Sequence, residues 1–232
     1  EQTGALTHFP ELSCLREVPQ DPEWHPEGDV LIHTALCLDA AVLRRAEMEN
    51  VWAEMLGVLC HDLGKATHTV FERERWRCPA HDVGGVEPTK ELLARINGQN
   101  DVVPLVCDLV REHLRPGQLY LERDKVSDAA IRRLSTRVNI PALCRVSFAD
   151  FAGRLKPFEL PWAPEVWLLE RAASLGVKDE APKNFLRGQD LISHGIAPGP
   201  GMGKILELAY DLQIEGNLAD REQALTWLWT HY

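Results

Sequence analysis

Apolar residues recur with a helical period over most of this chain. In "VLIHTALCLDAAVLRRAE" the spacing i, i+3, i+4 puts Leu31, Thr34, Ala35, Leu38 and Val42 on one stripe and predicts a helix from Val30 with that stripe buried. "NVWAEMLGVLCHDLGK" predicts a second helix with Asn50 as its N-cap. Residues 66–80 read as a loop. "HDVGGVEPTKELLARI" opens another helix, which Pro88 kinks or restarts. "DVVPLVCDLVREHL", "SDAAIRRLSTRV" capped by Ser127 or Asp128, "IPALCRVSFADFAGRL" and "PEVWLLERAASLGV" continue the series. Strand signals are scarce: "GQLYLER", residues 117–123, is the one short alternating run, and it also reads as loop.

The expected class is therefore all-α, a compact bundle of six or seven helices. Residues 1–24, rich in Pro, Glu and Asp, form an N-terminal arm with a short helix near Pro10 to Arg16. Residues 25–179 hold the helical core. After Val177 the composition turns to Gly and Pro, so residues 180–232 read as a small C-terminal appendage with helices near 203–213 and 220–231.

Composition narrows the function classes. With 45% hydrophobic and 26% charged residues, the 232-residue chain is ordinary for a globular protein. Its net charge of -10 repels polyanions at long range, which argues against strong non-specific nucleic-acid binding but leaves room for a local basic site. No apolar run is long enough to span a bilayer, and "EQTGALTHFP" has neither a basic start nor an apolar signal core, so a cytoplasmic location is expected. The six cysteines make no CxxC pair. Cys37, Cys60, Cys107 and Cys144 fall inside apolar helical patterns and read as buried free thiols; a zinc-thiolate site is the lesser alternative.

Candidate chemistry comes from polar residues where a core pattern calls for apolar ones. His33 is flanked by Leu31, Ile32 and Leu36; His61 and Asp62 end an apolar helix; Asp150 lies in "RVSFADFAGRL". Singly, each has a bland explanation as a hydrogen-bonded core histidine or a capping aspartate. Together they would bury charge from three helices, and buried charges are paired or bind metal. Histidine with carboxylate suits a divalent first-row metal or magnesium. His81, in "PAHDVGG", and His113, near the end of "LVCDLVREHL", have suitable settings too. Lys65, four residues after His61, shares its face if the helix continues.

The ordered set "HT" at 33–34, "HDLGK" at 61–65, His81, "REH" at 111–113 and "AD..GR" at 149–154 resembles the HD superfamily of metal-dependent phosphohydrolases, over residues 25–154. "WHPEGDVLIHT" and the tail from residue 188 to about 228, with "GPGMGKIL" and "EQAL", look like the HD portion of bacterial CCA-adding tRNA nucleotidyltransferases. The chain lacks that family's nucleotidyltransferase head, with its Gly-rich loop and paired catalytic aspartates, so only the HD chemistry carries over.

The resemblance implies that His33, His61, Asp62 and Asp150 hold one metal, and that Asp62 bridges to a second held by His81 and His113. It leaves the ion open among manganese, nickel, cobalt, iron and magnesium, one or two in number. Asp62 and Lys65 would be catalytic, with Lys65 donating to phosphate oxygens. Arg111, Arg115 and Arg154 are candidate phosphate forks, with surface ion pairs as the plain alternative. His25, Glu27 and Asp29 either sit behind the ligands or facing substrate, or belong to a helix start with Asp29 as N-cap. The expected activity is hydrolysis of nucleotide or RNA-end phosphates: 2',3'-cyclic phosphodiesterase, 2'-nucleotidase and phosphomonoesterase. Rival readings are an HD-fold di-iron oxygenase, an RNA- or tRNA-binding module with a vestigial site, and one part of a larger end-processing protein. No sequence feature fixes an oligomeric state.

Overall fold

The computed structural model describes residues 4–96 and 99–232; the first three residues of the predicted arm lie outside the described residues. The helices are α1 (Pro10–Ser13), α2 (Val30–Leu43), α3 (Val51–Cys60), α4 (Lys65–His68), α5 (His81–Gly84), α6 (Val86–Arg95), α7 (Val102–Glu112), α8 (Arg115–Leu121), α9 (Asp128–Ser135), α10 (Ile140–Ala152), α11 (Ala163–Ser174), α12 (Gly188–Ser193), α13 (Pro200–Glu215) and α14 (Arg221–His231). The expected all-α class holds. No helix among the described residues is long and apolar enough to cross a membrane.

Three local readings change. Residues 66–80 are not only loop: β1 (Val70–Glu72) and β2 (Arg75–Arg77) pair antiparallel as a small hairpin, with Phe71 opposite Trp76. The alternating run at 117–123 is mostly helix α8, started by Pro116 in its first turn, where a missing N–H costs nothing. The stretch "HDVGGVEPTKELLARI" restarts at Gly85 rather than at Pro88, which is accommodated in the first turn of α6.

The described chain forms two compact units, Glu1–Arg123 with Val138–Glu170, and Asp124–Arg137 with Arg171–Tyr232. In the first, α3 packs on α7, α2 and α10, and α2 packs on α10. Caps place the helix starts: Asn50 accepts from the Ala53 N–H at 3.0 Å, Asp29 from Ile32 at 2.9 Å and Asn139 from Ala142 at 2.9 Å. The buried face of α2 is Val30, His33, Thr34, Cys37 and Ala41, one step from the predicted stripe; Ala35 and Val42 are exposed. The helix carries apolar residues on nearly every face, so periodicity could not choose the inward one. The face carrying His33 and Cys37 goes inward.

The second unit is built around Leu186, Leu191, Ile205, Ala209, Leu218, Ala224 and Leu228. Gln213, buried on α13, holds the preceding irregular stretch by accepting from the Phe185 N–H at 3.0 Å and donating to the Lys183 carbonyl at 2.9 Å. Helix α13 stops at Gly216, whose φ of 85° is the left-handed conformation that glycine adopts freely. Within this unit Asp128 at the start of α9 accepts from Arg171 at 2.6 Å.

Candidate metal centre

Three of the predicted histidines are positioned by one repeated device. His61 and His113 cap α3 and α7, and His81 opens α5. In each, the ring Nδ1–H donates to the carbonyl three residues back: Val58 at 2.7 Å, Val110 at 2.7 Å and Cys78 at 2.6 Å. For α3 and α7 that carbonyl is one the helix end leaves unsatisfied. In the neutral ring this bond keeps the proton on Nδ1 and turns the Nε2 lone pair away from its own backbone. All three Nε2 atoms are buried and have no hydrogen-bond partner.

They converge on Asp62, which is 1% exposed. Its Oδ2 lies 3.2 Å from His61 Nε2, 3.7 Å from His33 Nε2 and 2.7 Å from Lys65 Nζ; its Oδ1 lies 3.3 Å from His81 Nε2 and 4.0 Å from His113 Nε2. The two oxygens thus face two different sets of nitrogens, and apart from the Lys65 ammonium paired with Oδ2 neither is engaged in a hydrogen bond. Asp150, from α10, puts Oδ1 3.1 Å from His33 Nε2. Ligand atoms of His33, Cys37, His61 and Asp150 lie within 4.8 Å of one another, as do those of Asp62, His81 and His113. Lone pairs of buried nitrogens and carboxylates aimed at each other are stable only around positive charge, and a borderline N/O donor set of this kind fits a divalent metal. The cluster can hold a metal ion.

The electrostatics show the same demand for positive charge beside Asp62 and Asp150, met here by protons on His33 and His61. Burial opposes the charged form of His33, but hydrogen bonds to Asp150, Cys37 and Glu27 prevail and raise it to about 11. Burial also opposes charge on His61, and the Asp62 carboxylate raises it to about 10. Burial lowers His113 to about 3. Burial resists ionisation of Asp62 and Asp150, yet the cations around them hold both well below the usual carboxylate range.

Glycines let the pieces meet. A Cβ on Gly64 would lie 2.1 Å from the His81 carbonyl oxygen and 2.6 Å from the Gly85 nitrogen, so the glycine of "HDLGK" admits the backbone that carries His81. A Cβ on Gly153 would lie 2.5 Å from the Cys37 sulfur and 2.9 Å from its nitrogen; this close approach of α10 to α2 sets Asp150 beside His33. His68 sits outside the cluster, its ring against Gly84 and its Nδ1 3.0 Å from the Gly64 carbonyl.

Lys65 and Arg154 reach the cavity of about 220 Å³ above Asp62 and Asp150. Lys65 also donates to Gln20 Oε1 at 2.8 Å, and Arg154 Nη2 to both Asp150 oxygens at 3.1 and 2.9 Å. Arg111 and Arg115 do not line it; they pair one turn back with Asp108 at 3.0 Å and Glu112 at 3.2 Å. Glu27 was ambiguous from sequence and here accepts from His33 Nδ1 at 2.7 Å and pairs with His25 Nδ1 at 2.8 Å, while Asp29 caps α2. A carboxylate behind a metal-facing imidazole orients the ring and raises its basicity. Gln20 and the cavity residues Trp76 and Arg77 carry no motif signal, and Trp24 opens "WHPEGDVLIHT" without a role assigned to it there.

No protein-family model matches the chain. It is 30% identical over 189 residues to the multifunctional CCA protein of Acinetobacter baumannii, covering 78% of this chain and 44% of that protein. It is 35% identical over 155 residues to the multifunctional CCA protein of Xylella fastidiosa, covering 63% of this chain and 35% of that protein. The chain spans less than half the length of these curated relatives, and the matched stretch is a region related to multifunctional CCA proteins.

Proposed function

We propose that this chain is an HD-type metal-dependent phosphohydrolase acting on nucleotide or RNA-end phosphates, as a 2',3'-cyclic phosphodiesterase, 2'-nucleotidase or phosphomonoesterase. The observation that carries the reading is the convergence of six residues, His33, His61, Asp62, His81, His113 and Asp150, four of which, His61, Asp62, His81 and His113, turn buried donor atoms without a hydrogen-bond partner into the cluster. His33, His61, Asp62 and Asp150 would hold one divalent ion, and Asp62 with His81 and His113 a second. Bound there, such ions supply an acidified water and polarise phosphoryl oxygens.

The chain's own residues do the rest. Lys65, 6% exposed and fixed by Asp62 and Gln20, presents an ammonium to a non-bridging phosphate oxygen. Arg154, held by Asp150, offers its guanidinium to the same cavity. The site is buried on the Asp62 side, which strengthens each of these interactions relative to water. A lysine beside the Asp62 carboxylate favours phosphate over dioxygen as the group handled. The orientation of each of the four histidines by a second bond supports a working site over a vestigial pocket.

The assay is turnover of 2',3'-cAMP, 2'-AMP and p-nitrophenyl phosphate with manganese, nickel, cobalt and magnesium in turn. Hydrolysis that appears with at least one metal and disappears with chelator is expected. No turnover of any substrate with any metal would sink the reading.

A further inference from the structure

The cavity over the metal cluster has an aromatic mouth. Its buried end is formed by Asp62, Lys65 and Arg154, and its open end by Trp24, Trp76 and Arg77. Trp24 is 52% exposed. Trp76, half-buried on β2, packs edge-on against Phe71, its cross-strand partner, with ring centroids 5.0 Å apart. Phe71 is itself 59% exposed. Isolated surface aromatics are common and need no explanation. Here two tryptophans border one cavity, on segments far apart in sequence that have been tied together. Arg75, next to Trp76, donates to Asp21 at 2.6 Å and pairs with Glu23, both in the turn that carries Trp24. Lys156 stands 4.9 Å over the Trp24 ring and donates to the Glu23 carbonyl, adding positive charge at the rim.

Size points the same way. At about 220 Å³ the cavity is below the roughly 300 Å³ at which drug-sized ligand pockets begin. It takes a phosphate and part of a sugar; a base joined to them must lie at the mouth. We propose that Trp24 and Trp76 form a base-stacking site, so that the phosphate handled below belongs to a terminal nucleoside, free or at an RNA end, rather than to a small alkyl ester. Every base has a π-face, so the site is tolerant of base identity and sets the substrate class. This deepens the phosphohydrolase reading and rests on it for the phosphate end only.

The test avoids turnover. Adenosine is titrated calorimetrically into the manganese-loaded full chain with saturating inorganic phosphate, for wild type, Trp76→Ala, Trp24→Ala and Trp76→Phe. Loss of a stacking partner is expected to weaken binding by roughly 5- to 140-fold for the alanine variants, with most of the affinity kept by Trp76→Phe. Adenylyl-adenosine in place of adenosine separates the sources: tighter binding assigns the base to an RNA end, equal binding to a free nucleotide. Manganese affinity equal to wild type certifies that each variant is folded. No measurable adenosine binding, or the same affinity in wild type and both alanine variants, overturns the proposal. Because nothing is hydrolysed in this titration, a failed hydrolysis assay leaves its result standing.

Discussion

Asp62→Ala is expected to abolish metal-dependent turnover while leaving the helical unit folded. Asp62 is the one carboxylate whose two oxygens face both nitrogen sets, His33 with His61 and His81 with His113. Removing it separates the clusters and takes the partner from Lys65 at 2.7 Å. The loss should exceed the roughly 10²–10³-fold seen when a single electrostatic donor is deleted, because a ligand and the position of Lys65 go together. Asp62→Asn is the companion variant: it keeps the shape and removes the charge, so it should fail to the same degree. Initial rates on 2',3'-cAMP at saturating metal read this out, with circular dichroism checking the fold. Turnover within about tenfold of wild type in either variant would place the chemistry elsewhere.

The second large effect concerns stability. Arg145 on α10 forms a two-pronged pair with Glu54 on α3, at 2.6 and 2.9 Å, and both residues are buried. Arg145→Met strands the Glu54 carboxylate and should cost about 3–5 kcal/mol. The double variant Glu54→Leu with Arg145→Met removes both charges and should recover most of that loss, since buried pairs are often matched by apolar residues of similar volume. The measurement is guanidinium unfolding of the two variants and wild type. A single variant that loses under about 1 kcal/mol would mean the pair is solvated and contributes little.

How far the sequence disclosed this architecture depended on whether a signal was local. His61 and Asp62 were legible because they are adjacent at the end of an apolar run, and the structure places their side chains 3.2 Å apart. The caps at Asn50 and Ser127 were legible because a cap acts within three residues. Asp150 and His33 were each visible as a polar residue in an apolar helix, although their meeting at 3.1 Å depends on the packing at Gly153. The inward face of α2 was not legible, since that helix is apolar nearly all round. The hairpin at residues 70–77 escaped because its strands are three residues long and mostly charged or exposed. Glu27 gave equal signals for a cap region and for a supporting carboxylate; only its 2.7 Å contact with His33 separates them. Arg111 and Arg115 lie near His113 in sequence, yet acids one turn back engage both. Trp24 stands in "WHPEGDVLIHT", but nothing in sequence pairs it with Trp76, because what relates them is one cavity and the Arg75 tie between their segments.

The central claim is that the cluster around Asp62 holds metal, and the most direct measurement is a manganese titration of chelator-stripped protein, followed by calorimetry and by thermal unfolding. The account predicts saturable binding of one or two ions per chain, with stabilisation of about 2.7 kcal/mol at a hundredfold excess over Kd and a rise in Tm of about 5–10 °C. The same titration of Asp62→Ala should show neither. Wild-type protein that binds none of manganese, nickel, cobalt, iron or magnesium, and gains no thermal stability from them, would contradict it.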